Sequence, residues 1–240
     1  GVKIQLSLYN SKRVMQALYA SRMKKVKYDI SFIHTGQVHI EKFGSLVAEL
    51  SPNLLINHIV DESLLTHAQQ FGVDSILKSN LLAQLEALSL VSKVIVITCS
   101  SIGGIAEEID NLNGCKVQRV DQAMADFAVE NGNNILVLAA LESTLEPTRE
   151  LLLKSLAKHN SKSKLTLCRV ENAWDYFLAG KMEQYYDQIS AVITSNETKY
   201  DLIVLAQASM SEVQNHVNAS IPVISSPRLG VERAIKALTI

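Results

Sequence analysis

The chain has 240 residues, of which 48% are hydrophobic and 20% charged, a composition typical of a globular protein with one large or two small domains. No apolar run approaches the length of a membrane span, so we expect no membrane partner. Positions 1–27 contain seven basic and no acidic residues, so the remaining chain has a formal net charge of −8. A folded protein with this negative net charge is not expected to bind nucleic acid.

Residues 1–27 are predicted to form an N-terminal extension ahead of the first strand. Their basic, acid-free composition also fits a transit peptide, but we expect no targeting role. The three cysteines, Cys99, Cys115 and Cys168, have neither the spacing of a disulfide framework nor that of a zinc site. We therefore expect free thiols, no metal site and a cytoplasmic location.

From residue 28 onward the hydrophobic pattern alternates between short β-branched runs and segments of helical periodicity. This alternation predicts a parallel sheet with helices packed on its faces. In the first half the predicted strands are 30–34, 54–60 and 94–97, and the predicted helices are 40–50, 63–70 and 75–92.

The second half repeats this pattern at an offset of about 105 to 111 residues. We expect strands at 134–139, 165–170 and 202–206, a loop at 141–144, and helices from Pro147 to 158 and over 174–198. A linking strand is expected at 117–121, and in the tail a strand at 222–225 and a helix from 229.

The repeat predicts two Rossmann-like α/β domains related by a pseudo-twofold axis, with the site in the cleft between them. We expect residues 28–118 and 218–240 to form the first domain and residues 119–217 the second. In this arrangement the C-terminal tail returns to complete the first domain.

The sequence from Val94 to Gly104 contains the strongest indication of chemistry. Four β-branched residues form a buried strand that runs directly into Thr98, Cys99, Ser100 and Ser101. Ligands of open α/β sheets bind at the carboxyl ends of strands, so Cys99 is a candidate catalytic residue. We expect nearby backbone N–H groups and the N-terminus of the following helix to lower its pKa. The glycine spacing of a dinucleotide-binding loop is missing, so no nucleotide cofactor is expected.

Five stretches together resemble the aspartate/glutamate/hydantoin racemase superfamily: Ile30–Thr35, Val96–Ser101, Arg119–Ala125, Leu141–Thr148 and Asp201–Met210. The resemblance implies a cofactor-independent enzyme and a homodimer. It also implies two cysteines, one from each half, that exchange protons with opposite faces of the α-carbon of a small carboxylic acid.

On this resemblance, Cys99 matches the first cysteine, while the second position falls on Gln207. Thr35, Ser100 and Ser101, together with Ser143 and Thr144 in the second half, match polar substrate-binding positions. His34 replaces the usual acid of the first loop, and we predict that it acts as a substitute proton carrier.

Three functions remain open from the sequence. A racemase is the activity that the resemblance suggests, but an amide cannot exchange protons as a thiol does. A decarboxylase or lyase that uses Cys99 alone needs only one proton donor. A two-lobed binding module without turnover is the third possibility. The aromatic residues around Trp174 are expected to serve packing or a subunit contact.

Overall fold

The computed structural model describes residues 12–21 and 25–239. Residues 12–21 are helical and exposed, and the rest of the expected extension before residue 25 lies outside the described residues. Within the described residues, no helix is long and apolar enough to cross a membrane.

The first half of the molecule is built on a five-stranded sheet with strand order β2-β1-β3-β5-β4. All neighbouring strands are parallel except the short edge pair of β4 and β5. Its elements are β1 (Tyr28–His34), α1 (Val38–Leu50), β2 (Ile56–Val60), α2 (Glu62–Phe71), α3 (Ser75–Ser89), β3 (Ser92–Ile97), α4 (Gly104–Ile109), β4 (Asn111–Leu112) and β5 (Cys115–Arg119).

The second half contains a four-stranded, fully parallel sheet with strand order β7-β6-β8-β9. A 3₁₀ turn at Ala208–Met210 follows β8. The elements are α5 (Gln122–Asn131), β6 (Asn134–Ala139), α6 (Glu142–Lys158), β7 (Lys164–Arg169), α7 (Ala173–Leu178), α8 (Met182–Asn196), β8 (Leu202–Leu205), α9 (Val213–His216), β9 (Val223–Ser225) and α10 (Ser226–Ala237).

The two sheets share the same order of parallel strands: the first strand of each half lies between the second and third, and a fourth follows the third. This confirms the predicted fold of two parallel α/β sheets. Both faces of each sheet are covered, and each half has one apolar cluster on either side of its sheet. This explains why the central strands consist of continuous apolar runs rather than alternating ones.

Two predicted elements of the second half differ from the structure. The helix expected over 174–198 is two helices, α7 and α8, because Gly180 between them takes a φ of +68°, which a helix cannot contain. The loop expected at 141–144 is the beginning of α6, so Ser143 and Thr144 lie in the first turn of a helix.

The tail also differs from the expectation that it completes the first domain. Strand β9 pairs with β8 in the second sheet, whereas α10 packs between α5 of the second half and α1 of the first, and also contacts β3 and β5 of the first half. A Cβ atom at Gly230 would lie 2.4 Å from the carbonyl oxygen of Val120, so only glycine allows α10 to approach this closely. The tail therefore contributes to both halves.

Candidate active site

The carboxyl ends of strands from both sheets meet around a small cavity of about 40 Å³. Seven lining residues come from the first half and six from the second. They are Thr35, His39, Leu65, Thr98, Cys99, Ser100 and Ser101, and Leu141, Thr144, Trp174, Gln207, Ala208 and Ser209. A cavity of this volume has room for only a few water molecules.

Cys99 lies in this inner cavity, just beyond the end of β3. Its sulfur is hydrogen-bonded by the side chains of Thr35 and Ser101 and by the backbone N–H groups of Ser101 and Ile102. These donors favour the thiolate, but burial outweighs them and raises the pKa of the Cys99 thiol above its usual value. The expectation of a lowered pKa was therefore wrong, and the group is a protonated thiol at neutral pH.

Hydroxyl groups join the two halves beside the thiol. The Oγ atom of Ser101 lies 3.2 Å from Oγ1 of Thr144 and 3.4 Å from Oγ of Ser143. The Ser100 hydroxyl donates across the cleft to the carbonyl oxygen of Ala206 at 2.8 Å. The Ser100 proton is therefore engaged in joining the halves, whereas the Ser101 and Thr144 hydroxyls can turn toward a ligand.

Gln207 occupies the end of β8 that corresponds to Cys99 in the first half. Its Oε1 atom accepts hydrogen bonds from the backbone N–H groups of Ala140, at 2.6 Å, and Leu141, at 2.9 Å. With the oxygen held by two donors, the side-chain N–H₂ group is left to donate to a ligand. Gln207 thus ties β8 to the start of α6 and presents an amide donor in the cavity.

His34 lies behind the cavity rather than in its wall. The residue is fully buried, and both ring nitrogens are hydrogen-bonded at 2.8 Å, Nδ1 to Thr98 Oγ1 and Nε2 to His58 Nδ1. Since Thr98 donates its proton to the carbonyl oxygen of Ile33, His34 donates from Nδ1 and accepts at Nε2 from His58. Burial and the neighbouring histidines lower the pKa of His34 to about 3, so it stays neutral. The geometry gives His34 a positioning role toward Thr98 and no contact with a ligand in the cavity.

Another histidine, His39, lines the cavity instead. It lies in the first turn of α1, and its Nδ1 atom is buried without a hydrogen-bond partner among the described residues. Burial, followed by the charge of Lys42, lowers the pKa of His39 to about 4. The orientation of His39 depends on where α1 begins. The hydrophobic pattern predicted a start at residue 40, so His39 was not expected in the site.

Trp174 also lines the cavity, although the sequence predicted only a packing or subunit-contact role for it. Its indole stacks on the ring of Phe177, with 4.5 Å between centroids and 17° between planes, as expected for a packing residue. Helix α7 follows β7, so Trp174 lies at the same end of the second sheet as Gln207. This position after a parallel strand could have identified Trp174 from the sequence.

An outer cavity of about 450 Å³ adjoins the inner one and shares Leu141 and Trp174 with it. The other residues that line it are mostly polar. They are Gln69, Ala140, Glu142, Ser143, Arg169, Val170, Glu171, Asn172 and Asp175. A larger cavity of about 740 Å³ lies between α1 and the region of α9 and α10, and Cys99 is not part of it. The candidate site is therefore the inner cavity together with its outer neighbour.

The remaining thiols lie elsewhere. Cys115 is buried in the core of the first half, and Cys168 packs at the edge of a core cluster in the second. Across residues 12–21 and 25–239, no group of three or more His, Cys, Asp or Glu side chains could hold a metal ion.

Comparison with solved structures supports the fold. An aspartate racemase from Picrophilus torridus aligns with a TM-score of 0.63 at 17% identity, over 88% of this chain and 94% of that one. A glutamate racemase from Bacillus anthracis aligns with a TM-score of 0.65 at 15% identity, over 87% and 81% of the two chains. An arylmalonate decarboxylase aligns with a TM-score of 0.53 at 14% identity, over 88% and 92%.

No family model matches the sequence, and no curated protein is similar to it. At identities this low, the structural likeness establishes the fold. The expected resemblance is confirmed at that level: the chain shares its fold with these racemases and with the decarboxylase.

Proposed function

We propose that this protein is a cofactor-independent enzyme that transfers a proton at the α-carbon of a small carboxylic acid, with Cys99 as the proton donor. One observation carries the proposal: the Cys99 thiol lies in a cavity between the carboxyl ends of strands from the two halves, among neutral hydrogen-bond donors. Racemases and an arylmalonate decarboxylase share the fold, and both activities move a proton at such a carbon.

The site suits a reaction through a carbanion stabilised by its carboxylate. Negative charge that develops on the carboxylate oxygens is stabilised by fixed donors in a water-excluded site. Ser101, Thr144 and the side-chain N–H₂ of Gln207 supply such donors. Once the loss of CO₂ or of the α-proton to a base has left an electron pair on the α-carbon, the thiol delivers its proton there. The S–H bond breaks, a C–H bond forms, and the remaining thiolate is reprotonated by solvent.

A one-thiol decarboxylase or lyase is the second candidate. Gln207 favours it, because the amide occupies the position of a second thiol and its oxygen is already held by Ala140 and Leu141. In a decarboxylation the C–COO⁻ bond breaks, its electron pair stays on the α-carbon, and Cys99 protonates that carbon from one side. Racemisation requires in addition a group that accepts the α-proton on the other face.

The test uses deuterated water and the compounds named by the structural neighbours. L-aspartate, D-aspartate, L-glutamate and phenylmalonate are incubated with the protein, and deuterium at the α-carbon is measured by NMR. We expect incorporation into at least one of them, and a loss of about 10²- to 10⁴-fold in Cys99→Ser. The matched control is Cys168→Ser, which removes a thiol outside the cavity.

Equal rates in Cys99→Ser and the unmodified protein would overturn the role of the thiol. Protection of Cys99 from iodoacetamide by these acids, without deuterium incorporation or release of CO₂, would instead favour the binding module. A homodimer and a cytoplasmic location stay predictions; sedimentation equilibrium measures the first and fractionation of the producing cells the second.

A further inference from the structure

Two titratable side chains line the inner cavity among the described residues, Cys99 and His39, and none of the lining residues is Asp, Glu, Lys or Arg. Burial raises the pKa of the Cys99 thiol, while burial and the charge of Lys42 lower the pKa of His39 to about 4. Both groups are therefore neutral at pH 7. The inner cavity offers hydroxyl and amide donors to a carboxylate, but no permanent positive charge.

A carboxylate that enters such a cavity loses much of its hydration, and neutral donors replace only part of it. A cation paired with the buried charge is the usual compensation. His39 is the lining residue suited to this, because an imidazole becomes positively charged on taking up one proton. Cys99 cannot serve in this way, since a thiol changes only between a neutral and a negative form.

One hydrogen-bonding position of His39 is unused. Its Nδ1 atom is buried and has no partner among the described residues, whereas both ring nitrogens of the neighbouring His34 are hydrogen-bonded. A buried polar atom without a partner is unfavourable, and such atoms are uncommon in folded proteins. A carboxylate oxygen that accepts a hydrogen bond from the protonated ring would supply the partner, at a residue that already lines the cavity.

The charged and titratable groups around His39 explain why it is neutral at pH 7. Lys42 lies one turn further along α1, and its Nζ atom is 3.5 Å from Glu212, which follows β8. The ring centroid of His34 on β1 lies 6.2 Å from that of His39, and its Nε2 atom is hydrogen-bonded to His58 of β2. The pKa values of His34 and His58 are both lowered, so neither is charged at pH 7. Lys42 and the N-terminus of α1 oppose a charge on His39, but both of them favour a bound anion.

We infer that His39 is a binding residue for the carboxylate, which enters the cavity together with one proton from solvent and pairs with the imidazolium that this proton forms. The inference rests on the proposed function, from which it takes a carboxylic acid as the ligand, and it adds the group that balances the charge of the acid. By linkage, the bound carboxylate raises the pKa of His39, and a lower pH strengthens binding.

The test fixes a carboxylate in the cavity by a covalent bond, so it does not depend on knowing the substrate. In a Cys168→Ser chain, Cys99 is alkylated with iodoacetate or with iodoacetamide, while Cys115 is fully buried. The thiol proton goes to solvent, the thiolate sulfur forms a bond to carbon, and the C–I bond breaks to release iodide. The products carry a carboxymethyl or a carbamoylmethyl group, which are similar in size and differ in charge. Mass spectrometry verifies that Cys99 is modified.

The pKa of His39 is measured over the range from pH 5 to pH 8 by the NMR signal of its ring Cε1–H, which is assigned by its absence in His39→Gln. We expect a pKa of about 5–7 in the carboxymethyl protein, against about 4 for His39 of the unmodified chain, because an opposite charge in contact favours the charged form. The carbamoylmethyl protein is the matched control and should keep His39 neutral over this range. His159, which lies between Asp126 and Glu130 and does not line the cavity, should titrate alike in both proteins.

The rates of the two alkylations provide a second readout. Dividing the rate with iodoacetate by the rate with iodoacetamide cancels the ionised fraction of Cys99, so the ratio reports the interaction with the carboxylate. We expect this ratio to rise about twofold to tenfold from pH 6 to pH 5 in the chain that keeps His39, since uptake of one proton changes an equilibrium by at most about tenfold per pH unit. His39→Gln keeps an amide donor without a charge, and its ratio should stay constant.

The outcomes separate this inference from the proposed function. Equal titration of His39 in the two alkylated proteins, or the same pH dependence of the rate ratio with and without His39, would overturn the role of His39 and leave the deuterium experiment to decide the proposed function. A raised pKa in the carboxymethyl protein, without deuterium incorporation or CO₂ release by the unmodified protein, would confirm the role and overturn the proposed function alone. If neither reagent modifies Cys99, small acids do not enter the cavity, and both are overturned.

Discussion

The ends of β3 and β8 occupy equivalent places in two sheets of the same strand order, yet their side chains face different partners. Beyond β3, Ser100 and Ser101 reach across the cleft to the second half, to Ala206 and Thr144. Beyond β8, Gln207 instead bonds within its own half, where it accepts from the N–H groups of Ala140 and Leu141. The backbone pattern repeats, but the reactive group belongs to one copy.

The two halves repeat one backbone arrangement but use equivalent positions for different purposes: one position carries the reactive group and the other stabilises the fold. The thiol of Cys99 is placed among donors that serve a ligand, whereas the amide of Gln207 fixes the geometry of the opposite wall. The Ser209 hydroxyl likewise pairs with the buried hydroxyl of Tyr185 at 2.9 Å, within the second half. Four sets of substitutions test this comparison between the ends of β3 and β8.

The largest effect is expected when the two residues are exchanged. In the Cys99→Gln, Gln207→Cys double variant, the thiol moves to the end of β8 and loses the donors from Thr35 and Ser101 that surround it in the first half. We expect deuterium incorporation at the α-carbon to fall by about 10²- to 10⁴-fold. Circular dichroism checks the fold, and full activity in a folded double variant would show that the two strand ends are interchangeable.

Replacement of Gln207 alone tests its supporting role. Gln207→Leu leaves the N–H groups of Ala140 and Leu141 without their acceptor, and we expect the free energy of unfolding to fall by about 2–3 kcal/mol. Gln207→Glu keeps an acceptor and is the matched control, with a smaller loss. Urea denaturation measures both. Equal stability of the Leu variant and the unmodified protein would contradict the supporting role.

Acid is expected to destabilise the protein through the histidine cluster beneath the β3 end. The pKa of His34 is about 3 in the folded protein, against 6.5 for an unperturbed histidine. The unfolded chain therefore takes up a proton as the pH falls below 6.5, and the folded protein loses stability. At pH 5, 1.5 units below the unfolded value, the loss from His34 is about 2 kcal/mol. The neighbouring His39 and His58, whose pKa values are also lowered, act in the same direction.

The measurement compares urea midpoints at pH 7 and pH 5 for the unmodified chain and for His34→Gln. The variant is expected to lose less stability between the two pH values. If His34→Gln loses as much stability between pH 7 and pH 5 as the unmodified chain, His34 is not a source of the acid sensitivity.

The smallest effect concerns the hydroxyl pair that spans the cleft. Thr144→Val removes the partner that lies 3.2 Å from Ser101 Oγ, and we expect a loss of about 1 kcal/mol in the free energy of unfolding. Thr148→Val is a matched control on the same helix, because the buried Oγ1 of Thr148 has no hydrogen-bond partner among the described residues. The control should be neutral or stabilising, and a larger loss there than in Thr144→Val would contradict this account.

The sequence was sufficient to predict the fold and the place of Cys99. Strands buried on both faces appear as continuous β-branched runs, and their carboxyl ends can be located from the polar residues that follow. The orientation of His39 was harder to predict, because its position in the cavity wall depends on the first residue of α1. The pairing of β9 could not be predicted, since a short apolar strand fits the edge of either sheet.

The course of the last twenty residues has a consequence for how the molecule can be divided. Strand β9 completes the second sheet, while Val231 and Ala234 of α10 are fully buried in a core cluster of the first half. A fragment that ends before β9 would leave an unpaired edge on one half and an uncovered apolar face on the other. Neither half is expected to be expressed as a stable separate module, and the whole chain should melt in one cooperative step.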